Sequence, residues 1–172
     1  RQASLTREIA LISVELRDRL RSNAQVLRGV RAFLATNPEL TPEGWLAYTQ
    51  QLDGQRRMPG VRQYGFAQRS GETDAYLVRH TSNAIDTPKG ANDVALLRTD
   101  RLHQAIALAR DSNEIVLSGQ LPLAGETAGP TALWMISPVY RPHAAIGQVV
   151  ERRREIVGIV YLAFEMNDFM SS

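Results

Sequence analysis

The chain has 172 residues, which suits one domain, or one domain with a long additional helix. Its hydrophobic content of 44% is ordinary for a folded protein and argues against extensive disorder. A net charge of +2 is too small to indicate nucleic-acid binding, and the absence of cysteine excludes disulfides and thiolate chemistry.

The first 36 residues carry an apolar stripe that predicts one long helix. Its members recur at steps of three, four and seven, and Asn37-Pro38 ends the run. At 1.5 Å per residue the helix would extend ~50 Å, more than a domain of this size can cover. We therefore expect 1–37 to be a stalk, part of which pairs with a second copy or emerges from a membrane helix, and 38–172 to form the domain itself. The stripe is Leu5, Ile9, Ile12, Leu16, Leu20, Leu27, Val30 and Leu34.

Thr41-Pro42-Glu43 predicts the start of a second helix. A hydroxyl cap, a proline at the first helical position and an early acid all suit a first turn. We expect this helix to reach about Arg57, before the turn at Pro59-Gly60. Its predicted apolar side is Trp45, Leu46, Tyr48 and Leu52.

A strand is predicted from Val61 to Gln68, with Tyr64 and Phe66 on one face. Residues 70–99 show the weakest pattern of apolar and polar residues in the chain. Glu72 to His80 is compatible with a short helix, and Thr81 to Asn92 has the character of a loop.

Thr99 or Asp100 is expected to cap a third helix that ends near Ser112-Asn113. Its inner face would be Leu102, Ile106 and Ala109. Three predicted strands follow, of which the last two are apolar on both faces and should be central in the sheet. Connections of hairpin type favour an antiparallel sheet with helices on its faces, an α+β fold. The three strands are Ile115 to Leu123, Thr131 to Tyr140 and Ile156 to Glu165.

The sequence contains no recognisable catalytic, metal or cofactor site. It lacks a Gly-rich phosphate loop, a His-Glu-x-x-His pair and a nucleophile elbow. Asp100 and His103 are interpreted as a helix cap and a half-exposed helix residue, because two mixed ligands are a weak metal signal. Glu165 and Asp168, near an expected terminal helix, are interpreted as solvated or capping groups. Arg152-Arg153-Arg154 is assigned to a solvated loop in preference to a phosphate-binding site.

Ser118 interrupts an otherwise apolar strand. Its hydroxyl is either bonded to a neighbouring carbonyl or directed at a ligand. The same alternative, core packing or pocket wall, applies to Tyr64, Trp134 and Tyr140.

In chain order, four stretches resemble the CHASE domain, the extracellular sensor of cytokinin-receptor kinases and of many bacterial kinases and diguanylate cyclases. The first is Met58-Pro59-Gly60-Val61 with the strand Tyr64 to Arg69. The second is Arg101 to Ser112 with Val116-Leu117-Ser118-Gly119. The others are Ser137-Pro138-Val139-Tyr140, and Arg153 to Gly158 followed by Phe164, Asp168 and Phe169.

The resemblance implies a stalk helix, a PAS-like sheet and a membrane helix on each side of the sensor. The chain has no apolar run of membrane-spanning length and no signal-peptide pattern, and it begins at Arg1, so we expect a piece excised from a longer protein. Residues 81–99 are shorter than the family's segment. Leu102 stands where the plant receptors keep the acid that anchors adenine, while Ser118 matches their Thr/Ser position. Cytokinin specificity is therefore not implied.

These observations predict the periplasmic sensory domain of an inner-membrane histidine kinase or diguanylate cyclase. The domain itself would not be an enzyme, and it would bind a small molecule between the sheet and the 100–112 helix. Binding of a protein partner, or a ligand-free dimerisation role, are the alternatives. The predicted ligand-binding residues are Tyr64, Phe66, Asp100, Leu102, Ser118, Trp134 and Tyr140.

Overall fold

The computed structural model describes residues 2–55, 61–71, 75–83, 100–122 and 131–164, with side chains for 18, 20–52, 63–71, 75–81, 101–118 and 133–164. The elements of this part of the chain, in order, are α1 (Gln2–Thr36), α2 (Pro42–Gln55), β1 (Val61–Arg69), β2 (Tyr76–Asn83), α3 (Asp100–Ser112), β3 (Val116–Pro122), β4 (Thr131–Tyr140), α4 (Val149–Glu155) and β5 (Ile156–Phe164).

The strands form one sheet in the order β2-β1-β5-β4-β3, and every neighbouring pair is antiparallel. The α+β prediction is confirmed, as is the central position of β4 and β5. All side chains of β5 from Gly158 to Phe164 are buried, because helices cover both faces of the sheet.

One face of the sheet, called here the α1 face, is covered by α1 and α2. The half of α1 from Leu20 onward turns its predicted stripe toward the sheet, and the helix passes through Gly29 without a break. Phe33 of α1 stacks on Tyr48 of α2 with ring centroids 3.9 Å apart, which joins the two helices. The buried members of this face are Val26, Leu27, Val30, Leu34, Trp45, Tyr64, Met135, Val139, Val160, Leu162 and Phe164.

The N-terminal part of the stripe, from Leu5 to Leu16, lies outside the described side chains. The pairing of this part with a second copy, and a domain boundary at residue 37, therefore stay predictions.

The opposite face, called here the α3 face, is covered by α3. Leu102, Ile106 and Ala109 point into it as predicted, because steps of three and four place them on one side of the helix. The other buried members of this face are Ala67, Tyr76, Val78, Ala105, Trp134, Ile136, Tyr140, Ile156, Ile159, Tyr161 and Ala163.

Two local predictions, one for residues 72–80 and one for α2, are wrong. Tyr76–Asn83 is an edge strand, not part of a short helix over 72–80, because it pairs with β1 along its whole length. The alternation of buried and exposed side chains also fits a strand, since Tyr76 and Val78 are buried and Arg79 is exposed. Leu46 was assigned to the apolar side of α2 but is 49% exposed, and Trp45 is the buried residue there.

The arginine run is not a solvated loop. Val149–Glu155 is the short helix α4, whose first turn is stabilised by the Gln148 backbone amide donating to the Glu151 carboxylate at 3.0 Å. Arg153 donates two hydrogen bonds to the Asp111 carboxylate, at 3.0 and 3.1 Å. Arg152 donates to the Asp111 carbonyl at 2.6 Å. The run therefore fixes α4 to the end of α3.

Candidate functional site

The structure divides the predicted ligand-binding residues between the two faces of the sheet. Leu102, Trp134 and Tyr140 are buried together on the α3 face. Tyr64 and Phe66 share a face with each other, as predicted, but it is the α1 face, across the sheet from α3. These two residues therefore do not border the cleft under α3 that the sequence analysis assigned to them.

Two further predicted residues lie at the ends of this region. Ser118 is buried, with 6% exposure, on the outer strand β3, where the register shifts between Leu117 and Gln120. Asp100 is the first residue of α3, and its side chain lies outside the described ones.

Tyr161 is the centre of the α3 face. It lies on the central strand β5 opposite Gly65 of β1, which is itself opposite Thr81 of β2. A Cβ atom on Gly65 would overlap the hydroxyl end of the Tyr161 phenol, at Cζ and the hydroxyl oxygen, so the phenol reaches over β1. This places the Tyr161 hydroxyl on the side of Thr81, two strands away.

Among the described residues, neither of these hydroxyls has a hydrogen-bond partner of ordinary geometry. The Thr81 oxygen is near the phenol, but no hydrogen bond of ordinary length and angle joins the two, and both oxygens are buried. Burial strongly raises the pKa of Tyr161. The phenol therefore stays protonated and keeps a proton available for donation.

Trp134 adds a third polar group to this place. Its ring stacks on Tyr161, with centroids 4.4 Å apart and planes 19° from parallel. The indole Nε1 is buried and has no hydrogen-bond partner among the described residues. Thr81, Trp134 and Tyr161 thus form a buried set of unsatisfied polar groups, called here the polar triplet. Leaving such a group unpaired costs roughly 1–3 kcal/mol, so a partner for these groups is expected.

The Tyr140 hydroxyl has a hydrogen-bond partner, and Tyr140 connects the α3 face of the sheet with the α1 face. Its hydroxyl donates to the Arg110 carbonyl near the end of α3, and the guanidinium of Arg31 lies over its ring, 5.6 Å from the centroid. Arg31 belongs to α1 and also donates to the Asn113 side chain at 3.0 Å. Burial raises the pKa of Tyr140 to about 12, so this hydrogen-bond donor is retained at neutral pH.

Asn113, directly after α3, has a φ of 56°, a left-handed conformation that asparagine tolerates at a helix end. The contact with Arg31 thus holds the point where α3 turns into β3. The described residues contain a continuous connection from α3 to α1 through Tyr140, Arg31 and Asn113.

The described residues hold no group of three or more His, Cys, Asp or Glu side chains that would suit a metal ion. His103 is exposed on α3. Glu165 and Asp168 lie outside the described residues. Among the described helices, none is long and apolar enough to cross a membrane.

Thr81 and Tyr161 are not among the ligand-binding residues that the sequence predicts. Tyr161 stands in an apolar run that predicts a central strand, where a tyrosine is normally taken for core. The available signal was Gly65, a glycine between the aromatic residues Tyr64 and Phe66, since glycine inside a strand often marks the close approach of another group.

Comparison with known proteins supports the resemblance. A family model described as the CHASE domain matches residues 88–172. Among solved structures, the chain is similar to "The ligand binding domain of Mlp24 with asparagine", with a TM-score of 0.57 and 14% sequence identity. The likeness covers 96% of this chain and 57% of the other, so this chain spans little more than half of that one. At this identity the similarity shows the fold alone. A search of curated proteins found no match.

Proposed function

Residues 88–172 match the CHASE domain, and on that premise we propose that the chain is an extracytoplasmic ligand-sensing domain. It would belong to a membrane-anchored receptor, a histidine kinase or a diguanylate cyclase, with membrane helices beyond both ends of this piece. The domain itself would bind and signal without catalysing a reaction.

The observation that carries the proposal is the polar triplet on the α3 face. Thr81, Trp134 and Tyr161 come from three different strands, and each holds a buried polar atom that lacks a hydrogen-bond partner of ordinary geometry within the described part of the chain. Buried polar groups in folded proteins are almost always paired. A bound small molecule would supply the missing partners and would gain affinity from the apolar surroundings.

The chemistry of the triplet limits the ligand. The indole N–H can only donate, and the protonated phenol and the threonine hydroxyl can each donate. The neighbouring wall is apolar, with Leu102 fully buried. We therefore propose a compact, mostly apolar ligand with one or two hydrogen-bond acceptors. Leu102 cannot anchor an adenine ring as an acid would, so a purine cytokinin should bind poorly or not at all.

The connection through Tyr140 supports a route for the signal. A ligand that moves α3 would shift the Arg110 carbonyl and Asn113, both of which are linked to α1 directly or through Tyr140. Since α1 would lead to the membrane, such a shift would be passed along the stalk. The same contacts would stabilise the ligand-free state.

A thermal-shift screen of small apolar compounds that carry acceptor groups, with adenine derivatives included, tests the proposal. Hits are then titrated by calorimetry against Trp134→Phe, which keeps the stacked ring and removes the N–H. We expect affinity to fall about tenfold, which corresponds to roughly 1.4 kcal/mol. Ser118→Leu, which fills space and removes a hydroxyl, should lower affinity by a similar factor.

Tyr48→Phe on the α1 face is the matched control, because it removes a hydroxyl without touching the α3 face, and it should leave the affinity unchanged. If no compound binds, a dimerisation or protein-binding role replaces the sensory one. Tight binding of a cytokinin would instead indicate that Asp100 takes the place of the missing acid.

A further inference from the structure

A pocket lies on the α1 face of the sheet, at the elbow between α1 and α2. Its volume is about 620 Å³, within the range of small-molecule sites. Leu34 and Leu40 of the elbow form one wall, and Phe66, Val139 and Val157 of the sheet form the other. This pocket is separated from the polar triplet by the thickness of the sheet, since Phe66 and Val139 pack on the α1 face.

The polar groups that border this pocket are cationic or neutral. Arg79 and Arg141 line it, together with Gln68 and His80. No Asp or Glu among the described residues lines it. Arg141 forms an ion pair with Glu155, but the distance is 3.9 Å and its side chain is 69% exposed, so the pair is weak. Arg79 also donates a hydrogen bond to the Gln68 side chain at 3.0 Å, which leaves its charge in place. The described residues of the pocket therefore give it a net positive rim above apolar walls.

His80 gives the pocket an aromatic and polar wall. Its ring stacks on Trp45, with centroids 5.5 Å apart, and on Phe66, with centroids 6.3 Å apart. Its Nδ1 is buried and has no hydrogen-bond partner among the described residues. Burial lowers the pKa of His80, and the nearby charge of Arg79 lowers it further, so the ring is neutral at pH 7. The positive charge at the pocket thus comes from the two arginines.

From this arrangement we propose that the elbow pocket binds a compact apolar carboxylate, with its body between Phe66 and the elbow leucines and its carboxylate toward Arg79 and Arg141. Guanidinium groups are suited to carboxylates because their donors match the two oxygens.

The elbow site is distinct from the polar triplet, and Tyr140 of the α3 face also lines it. Because it lies where α1 ends, a ligand there would hold α1 and α2 against the sheet. Occupation would raise the stability of the α1 face whatever the α3 face binds.

The test is calorimetric titration with benzoate, benzamide and benzylamine, which share a ring and differ in charge. We expect benzoate to bind about tenfold more tightly than benzamide, and benzylamine not to bind. Arg79→Gln and Arg141→Gln should each weaken benzoate severalfold and leave benzamide unchanged. Added salt should have the same selective effect, because the arginines are exposed to solvent.

Two controls make the result specific. Arg28→Gln removes an exposed arginine of α1 that does not line this pocket, so benzoate binding should not change. Tyr161→Phe alters the polar triplet and should also leave benzoate binding intact, which separates this site from the sensory one. The proposal is overturned if benzoate and benzamide bind alike, if Arg28→Gln weakens benzoate as much as Arg79→Gln does, or if no probe binds saturably.

Discussion

The phenol ring of Tyr161 occupies the space where a side chain on Gly65 would stand. The two residues face each other on β5 and β1, and a Cβ atom on Gly65 would overlap the far end of the ring. This close approach is what carries the Tyr161 hydroxyl across β1 toward Thr81. The polar triplet therefore depends on one residue having no side chain.

Gly65→Ala should unfold the domain more easily. The added methyl group would push the fully buried Tyr161 ring out of its place, and overpacking of this kind costs about 1–3 kcal/mol. Urea denaturation followed by circular dichroism measures the change. Gly147→Ala is the control, because its Cβ would meet only the Glu151 carboxylate at an ordinary 3.8 Å. The double variant with Gly65→Ala and Tyr161→Ala should lose less unfolding free energy than the sum of the losses in the two single variants. A loss equal to that sum would refute the steric argument.

Tyr161→Phe and Tyr140→Phe should differ in their effects on stability. The Tyr161 hydroxyl is buried and unsatisfied, so removing it should leave the free energy of unfolding unchanged or raise it by up to about 1 kcal/mol. The Tyr140 hydroxyl donates to Arg110, so its loss should cost about 1 kcal/mol and leave the carbonyl without this partner. Thermal unfolding of both variants without ligand measures the difference. Equal destabilisation would mean that the Tyr161 hydroxyl has a partner in solution.

The link between α3 and α4 should weaken in acid. Hydrogen bonds from Arg153 hold the pKa of Asp111 at about 2, below its usual 3.8, while partial burial opposes them. A group with a lowered folded-state pKa stabilises the fold above its unfolded pKa, and this contribution is lost as the pH falls from about 5 toward 2. Because the carboxylate is 27% exposed, the effect should be about 1 kcal/mol.

Denaturation at pH 7 and at pH 3 measures this loss for the native chain and for Asp111→Asn. Asp111→Asn should have a lower free energy of unfolding than the native chain at pH 7. Its free energy of unfolding should also fall less than that of the native chain between pH 7 and pH 3. A variant that loses as much as the native chain would mean that other carboxylates cause the acid sensitivity.

The N-terminal part of α1 should mediate dimerisation. Ile9 and Ile12 continue the apolar stripe on the N-terminal side of Leu20, the first residue of α1 whose described side chain packs on the α1 face. Replacing both with lysine should abolish any dimer in sedimentation runs and leave the far-ultraviolet circular dichroism unchanged, because a coiled-coil seam does not tolerate paired charges. Lysine at Gln2 and Ser4 is the control. If Ile9→Lys with Ile12→Lys unfolds the domain, these residues are part of its core.

The apolar patterns were sufficient to predict much of this fold. Steps of three and four along α1 and α3 specify which side of each helix is buried, and Leu27, Val30, Leu102 and Ile106 are all where these steps place them. Continuous apolar runs likewise identified β4 and β5 as central. These features depend on neighbours in sequence, so a sequence can report them without its partners.

The tertiary structure decided the rest, because the deciding contacts join residues far apart in the chain. Alternation in β1 showed that Tyr64 and Phe66 share a face, but only the packing of α1, α2 and α3 showed that this face is the one away from Leu102. The strand β2 exists through pairing with β1, and the arginines of α4 are oriented by Asp111. The polar triplet requires Gly65 to lie beneath Tyr161, a register between two strands nearly a hundred residues apart that no local pattern encodes.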